Sequence, residues 1–287
     1  MNIGFAGVIT RPDSPEVEQI GGDVCKWFEE RSIRAQMNKI DPEMDVVIVL
    51  GGDGTLLHVA WEASRYQVPI LGVNLGNLGF LTEVAADEMY MALETLLVED
   101  DVRMEYRIML AASTINGNTG ERSETFHALN EVVIVKKSTE AMIQMRCWAD
   151  REYVTTYRAD GLIMSTPTGS TAYNLSAGGP VVHAELDAIV VTPICPFMLE
   201  SRPVLLGSEY KVTTQLLAPA GEVKVIVDGE MRWTITENDY LLVQRASKPL
   251  RLISSPWKSY FNILRSKLNW GGASVDLPLP EQVCKHC

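Results

Sequence analysis

The chain has 287 residues, 46% of them hydrophobic and 22% charged, and its 25 Lys plus Arg against 37 Asp plus Glu give a net charge of −12. That negative sheath disfavours nucleic acid and anionic membrane surfaces as partners, and no apolar run approaches the roughly 20 residues needed to span a bilayer. The length predicts two domains with separate cores, and Met1-Asn2-Ile3-Gly4-Phe5 opens a strand rather than a signal peptide, so the cytoplasm is the expected compartment.

Up to about Asp101 strands alternate with helices: strand Ile3–Ile9, helix Ser14–Arg34, strand Asp45–Leu50, helix Thr55–Tyr66, strand Pro69–Asn74 and helix Ala86–Leu97. This alternation predicts an α/β domain with a parallel sheet over residues 1–101. From Val102 the pattern changes to short strands, predicting an all-β sandwich over 102–258. Alternating segments Tyr210–Leu217, Val223–Val227 and Arg232–Thr236 support it. Asn116-Gly117, Ala149-Asp150-Arg151 and Pro219-Ala220-Gly221-Glu222 read as hairpin turns. One helix interrupts near Gly169–Ala177. Ser259–Leu268 has helical periodicity and no place in a sandwich, so 259–272 is expected to return to the first domain, with 273–287 a disordered tail. Cys284 and Cys287 flank His286 in that tail. A single C-x-x-C without a second half is a weak metal signal and reads as a pair of tail thiols.

Four segments carry chemistry. The apolar strand Val46–Leu50 runs into Gly51-Gly52-Asp53-Gly54-Thr55 and then a helix, an arrangement that serves either as a tight turn capped by Asp53 or as a phosphate cradle of bare N–H groups at a helix start. A carboxylate beside phosphates makes sense where it holds an attacking hydroxyl. The next strand leads into Gly72–Leu81, where Gly76 and Gly79 would let a dinucleotide lie on the backbone and Phe80 could stack on a base or pack in the core. No G-x-G-x-x-G is present, which argues against hydride transfer. In Tyr157–Pro180 five hydroxyls, Ser165, Thr166, Thr168, Ser170 and Thr171, crowd a helix start, more than a cap requires, pointing toward sugar or phosphate binding. Asn130-Glu131 opens an otherwise apolar strand, and buried polar side chains need partners, from a ligand or from the neighbouring backbone.

Together with Val191–Pro196, Ser201-Arg202-Pro203, Val227-Asp228-Gly229 and Leu264–Gly271, these segments resemble the signature segments of the ATP-NAD kinase family, in order, over residues 1 to 272. The resemblance implies phosphorylation of the adenosine-ribose 2′-hydroxyl of NAD to give NADP, at a site between an α/β domain and a β-sandwich domain, in a homodimer or homotetramer. It implies that Asp53 takes or orients the hydroxyl proton and that Gly51, Gly52, Gly54 and Thr55 face the donor, ATP or polyphosphate. Gly54, His58, Phe80, Asn130, Glu131, Arg158, Asp160, Thr171, Ala172, Tyr173 and Ser176 would hold NAD with Asp53. Mg²⁺ would shield the donor phosphates. No acidic cluster at metal-ligand spacing is evident, so phosphates and water are expected to hold the ion. Because phosphoryl transfer has a loose transition state, Asp53 is expected to act mainly by aiming the hydroxyl.

The chain departs from the family pattern at Phe197, where a His is common, and at Glu200, where a small polar residue is expected. Two rivals follow. A lipid or small-alcohol kinase would share the GGDGT loop but would not need Thr168–Tyr173, and a non-catalytic nicotinamide-nucleotide sensor is motivated by Phe197.

Overall fold

In a computed structural model of the chain, residues 2–11, 14–99, 102–137, 141–198, 200–217, 221–270 and 283 are described. Cys284 and Cys287 fall outside them. The first part is an α/β unit with a seven-stranded sheet. Its order is Arg34–Met37, Phe5–Thr10, Val46–Gly51, Ile70–Asn74, Leu250–Ile253, Met104–Arg107, with the short Val84–Ala85 beside Ile70–Asn74. All pairings are parallel except Leu250–Ile253 with Met104–Arg107.

The strand Val46–Gly51 explains its own unbroken apolar run. Val47 and Val49 pack on one face with Leu56, Ala60 and Ala63 of helix Asp53–Tyr66. Val46, Ile48 and Leu50 pack on the other with Val24 and Phe28 of helix Pro15–Glu29 and Leu93 of helix Met89–Val98. A strand covered on both faces has no polar alternation to show. Helix Asp53–Tyr66 also meets Met109, Ala111 and Leu129 of the second part, so its first turn lies where the two parts join.

The second part is two six-stranded antiparallel sheets. One runs Glu152–Ala159, Ile143–Ala149, Val212–Leu216, Asp239–Arg245, Leu110–Asn116, Phe126–Ala128. The other runs Val204–Gly207, Ala188–Ile194, Gly161–Ser165, Glu131–Lys136, Val223–Val227, Glu230–Ile235. Their inner faces share one core, with Met145, Cys147 and Val243 from the first against Ile134, Leu162 and Val225 from the second, the layering of a β-sandwich.

Strand pairing differs from the sequence reading in three places. Met104–Arg107 and Leu250–Ile253, grouped by position with residues 102–258, hydrogen-bond into the first sheet. The segment between Val212–Leu216 and Val223–Val227 is no hairpin, because those strands belong to different sheets. The first helix stops at Glu29, short of the expected Arg34, and Arg34–Met37, with no apolar pattern, is an additional edge strand. The helix Tyr260–Leu268 contacts both parts: Lys258, just before it, donates to the Glu83 carbonyl, and the Tyr260 hydroxyl donates to the Val182 carbonyl. Among the described residues no helix is long and apolar enough to cross a membrane.

Candidate active site

Asp53 is the first residue of its helix after Gly52 at the N-cap. Its carboxylate is held by the second glycine loop. Phe80 N–H donates to Oδ2 at 2.8 Å, while Leu81 N–H at 3.1 Å, Thr82 N–H at 3.1 Å and the Thr82 hydroxyl at 3.0 Å all donate to Oδ1. Oδ1 is thereby saturated, and Oδ2 keeps room for one further donor such as a substrate hydroxyl. Gly79 is required by this cradle, since a Cβ there would overlap Asp53 Oδ1 and the Thr82 hydroxyl. It therefore clears space for Asp53, not for a dinucleotide on the backbone. Phe80 is half-buried.

The three glycines of the first loop divide their work. A Cβ on Gly51 would overlap the Thr55 side chain, but Cβ atoms on Gly52 or Gly54 would meet nothing within 4 Å. That open side forms a cavity of about 350 Å³ lined by Arg11, Gly52, Gly54, Thr55 and His58. Backbone N–H groups at a helix start and an arginine suit an anion. Arg11 follows the carboxyl end of its strand, the place where ligands gather in open parallel sheets, a signal that sequence reading had not used. His58 belongs to this cavity, and its Nδ1 lies 3.4 Å from Glu230 across the boundary between the two parts.

On the sandwich side Asn130 and Glu131 are presented by a buried clamp that sequence reading missed. The Asp228 carboxylate accepts the backbone N–H groups of Leu129 at 2.6 Å, Asn130 at 2.9 Å and Glu131 at 3.0 Å. Asp228 has φ of 45° and Gly229 of 84°, the left-handed pair that an Asp-Gly turn supplies. The Glu131 side chain is buried, and its Oε2 has no hydrogen-bond partner among the described residues. Burial, then the nearby Asp228 charge, push its carboxyl up to about 8. Further along the Asp53 helix, Trp61 stacks on His127 with ring centroids 3.2 Å apart. Burial lowers that imidazole to about 4, so it packs as a neutral ring.

The hydroxyl-rich segment folds differently from its sequence reading. The Ser165 hydroxyl donates to the Asn130 and Thr166 carbonyls, that of Thr166 to the Leu129 carbonyl, and that of Ser170 to the Val182 carbonyl; the Thr168 hydroxyl accepts from Arg107. These four residues are buried, so most of the hydroxyls build the loop. Thr171 and Ala172 are half-buried and Tyr173 and Ser176 exposed, while Asn174 between them is fully buried and fixed by Ser170, Pro180 and Thr192. Thr171, Ala172, Tyr173 and Ser176 thus remain open to solvent.

Arg158 and Asp160 are not brought to this cluster. In the register Gly161↔Val135 and Ser165↔Glu131 they sit beyond the opposite end of the strand from Glu131, a separation of roughly 13 Å or more at 3.3 Å per residue. Asp160 pairs with Lys136 at 2.7 Å, and the Arg158 guanidinium lies 4.8 Å from the Phe197 ring centroid. Phe197, standing where the family often has His, is an exposed cation–π partner for Arg158.

Residues 11–102 match the ATP-NAD kinase N-terminal domain and residues 129–255 the ATP-NAD kinase C-terminal domain. The chain is 45% identical over 240 residues to the NAD kinase of Geotalea daltonii, covering 84% of each, and 39% identical over 279 residues to that of Geobacter metallireducens, covering 92% of this chain and 98% of the other. Its fold is similar to a crystal structure of yeast NADH kinase complexed with NADH, at a TM-score of 0.84 and 21% identity over 96% of this chain and 90% of that one. An NAD kinase from Archaeoglobus fulgidus in complex with ATP gives a TM-score of 0.74 at 23% identity, over 92% and 98% of the two chains.

Proposed function

The chain belongs to the ATP-NAD kinase family, and we propose that its two glycine loops serve one reaction, phosphoryl transfer to the 2′-hydroxyl of the adenosine ribose of NAD, giving NADP. The observation that carries the site assignment is the Asp53 carboxylate, pinned by Phe80–Thr82 beside the open faces of Gly52 and Gly54. In this reading Oδ2 aims the 2′-hydroxyl while the Gly51–Thr55 backbone, Arg11 and the helix start face the donor phosphates. Asn130, Glu131, Phe80, Thr171, Ala172, Tyr173 and Ser176 hold NAD, and His58 falls on the donor side. Positioning of this kind supplies roughly 7–11 kcal/mol of a barrier, more than the 10²–10⁴-fold typical of a general base.

ATP is the donor we favour, because the family is defined by it and the related Archaeoglobus enzyme was solved with it. Among the described residues no three His, Cys, Asp or Glu side chains gather to hold a metal. In this reading Mg²⁺ arrives with the donor, held by its phosphates and water. We favour a homodimer or homotetramer, in which a second copy would bring Arg158 and Asp160, set a strand length from Glu131 in their own chain, toward NAD. A cytoplasmic location, where NAD and ATP meet, agrees with the free thiols of Cys25, Cys147 and Cys195.

Incubation with NAD or NADH and either MgATP or polyphosphate, followed by assay for NADP or NADPH, tests the reading. NADP formed from ATP is the expected result. Tight NAD binding without product from either donor would instead favour the sensor. A lipid or small-alcohol kinase would not need the sandwich match over residues 129–255.

A further inference from the structure

The strand Met104–Arg107 is inverted relative to an ordinary amphipathic strand. Glu105 and Arg107 are 6% and 2% exposed, while Tyr106 between them is 57% exposed. A buried ion pair carries a desolvation cost that only good geometry and further hydrogen bonds offset. Here Arg107 Nε and Nη2 both donate to Glu105 Oε2, and Arg103 lies 3.7 Å from the other oxygen. Nη1 reaches out of the first sheet and donates to the Thr168 hydroxyl at 3.3 Å.

Thr168 opens the 3₁₀ turn Thr168–Thr171 and its carbonyl accepts the Thr171 hydroxyl. The next residue, Gly169, lies against the Asn130 carbonyl so closely that a Cβ would overlap it. Glu83, one residue after the Thr82 that holds Asp53, faces the same Glu105–Arg107 pair. One buried cation thus connects the sheet that carries Asp53 to the segment that carries Thr171, Ala172 and Tyr173.

We propose that Arg107 is a positioning residue for NAD, which through Thr168 sets where Thr171–Tyr173 stands relative to Asp53. The proposal rests on the reading of Thr171, Ala172 and Tyr173 as NAD contacts. A staple that only joined the two parts would use the same bonds, so the test must read affinity as well as stability. Arg107→Lys keeps the charge beside Glu105 but cannot span both partners. Thr168→Val removes the acceptor and leaves the ion pair whole, so it remains readable should Arg107→Lys fail to fold. NAD affinity by calorimetry, KM for NAD and ATP, kcat and the thermal midpoint are measured for both variants and the double variant. Each single variant is expected to weaken NAD binding roughly 5- to 20-fold, with KM for ATP within about twofold, the scale of one hydrogen bond to a charged group. The double variant is expected to be no weaker than the worse single one. Unchanged NAD affinity with a lowered thermal midpoint, or fully additive losses, overturns the proposal. Because affinity is read directly, a wild-type chain that binds NAD without forming NADP would sink the reaction above while the Arg107 comparison still stands or falls by itself.

Discussion

Thr82 donates twice to a single oxygen of Asp53, through its backbone N–H at 3.1 Å and its hydroxyl at 3.0 Å. The carboxylate is therefore aimed by the loop after the neighbouring strand, not by its own helix. Asp53→Asn keeps the shape but loses the acceptor facing the substrate, so it is expected to keep NAD affinity within a few-fold and lose most turnover. Thr82→Val leaves Asp53 charged and its three backbone N–H bonds in place, and removes only the hydroxyl bond to Oδ1. A fall in kcat of roughly tenfold with NAD affinity nearly intact is expected, since small misplacements are costly in rate. Steady-state kinetics with calorimetry check both variants; unchanged kcat in Asp53→Asn removes Asp53 from the role given to it, and unchanged kcat in Thr82→Val shows that the backbone N–H groups alone aim it.

Gly79 and Gly54 look alike in sequence and should behave oppositely. A Cβ at Gly79 overlaps the Asp53 carboxylate, so Gly79→Ala is expected to abolish activity by displacing it. Gly54 sits in the first turn of a helix with nothing near its missing Cβ. Gly54→Ala should hold or raise stability, by up to about 1 kcal/mol from helix propensity, while raising KM for ATP through the methyl group facing the donor. A Gly54→Ala enzyme with normal KM for ATP would show that the cavity by Arg11 is not the donor site.

The α/β half was legible because its buried strands are apolar runs, and two of them, Val46–Gly51 and Ile70–Asn74, lead into glycine loops, so Gly51–Thr55 and Gly72–Leu81 announced adjacent strand ends. What escaped was pairing at long range. Met104–Arg107 and Leu250–Ile253 are separated by more than a hundred residues, and nothing local says that they close the first sheet. Burial of charge escaped as well: Glu105 and Arg107 alternate with an exposed tyrosine, the reverse of what hydrophobicity predicts. The crowded hydroxyls of Ser165–Thr171 were visible, but the count could not reveal that most bond to the chain. Asp228 stood in view within an Asp-Gly turn, and only its three N–H partners disclose that it shapes Asn130-Glu131.

Glu131 makes stability pH-dependent in an unusual direction for a carboxyl. Its value in the fold, about 8, lies above the ordinary 4.5. Between those values the folded chain retains a proton that the unfolded chain has released, so this group's contribution turns against folding as pH rises through the window and levels off above about 8. Glu131→Gln mimics the neutral acid at every pH. Its thermal midpoint relative to wild type should therefore climb between pH 5 and pH 8, by an amount worth a few kcal/mol at most. Melting both proteins across that range decides it, and a constant difference would mean that Glu131 holds no proton in the fold.

Asp160 offers a test of assembly, since it lies a strand length from Glu131 within its own chain and pairs there with Lys136. If NAD is held by Asp53 and Glu131 of one copy and by Asp160 of another, each site is composite. Asp53→Asn should be inactive and Asp160→Ala should bind NAD weakly, yet a hybrid of the two contains one site with both residues native. Co-expression in equal amounts should then restore about a quarter of wild-type activity at low NAD, because half the dimers are hybrids and each has one intact site of two. A site completed within one chain cannot be repaired this way. Activity no greater than the average of the parents would return Asp160 to an ion pair with Lys136 and leave the oligomer without a part in the reaction.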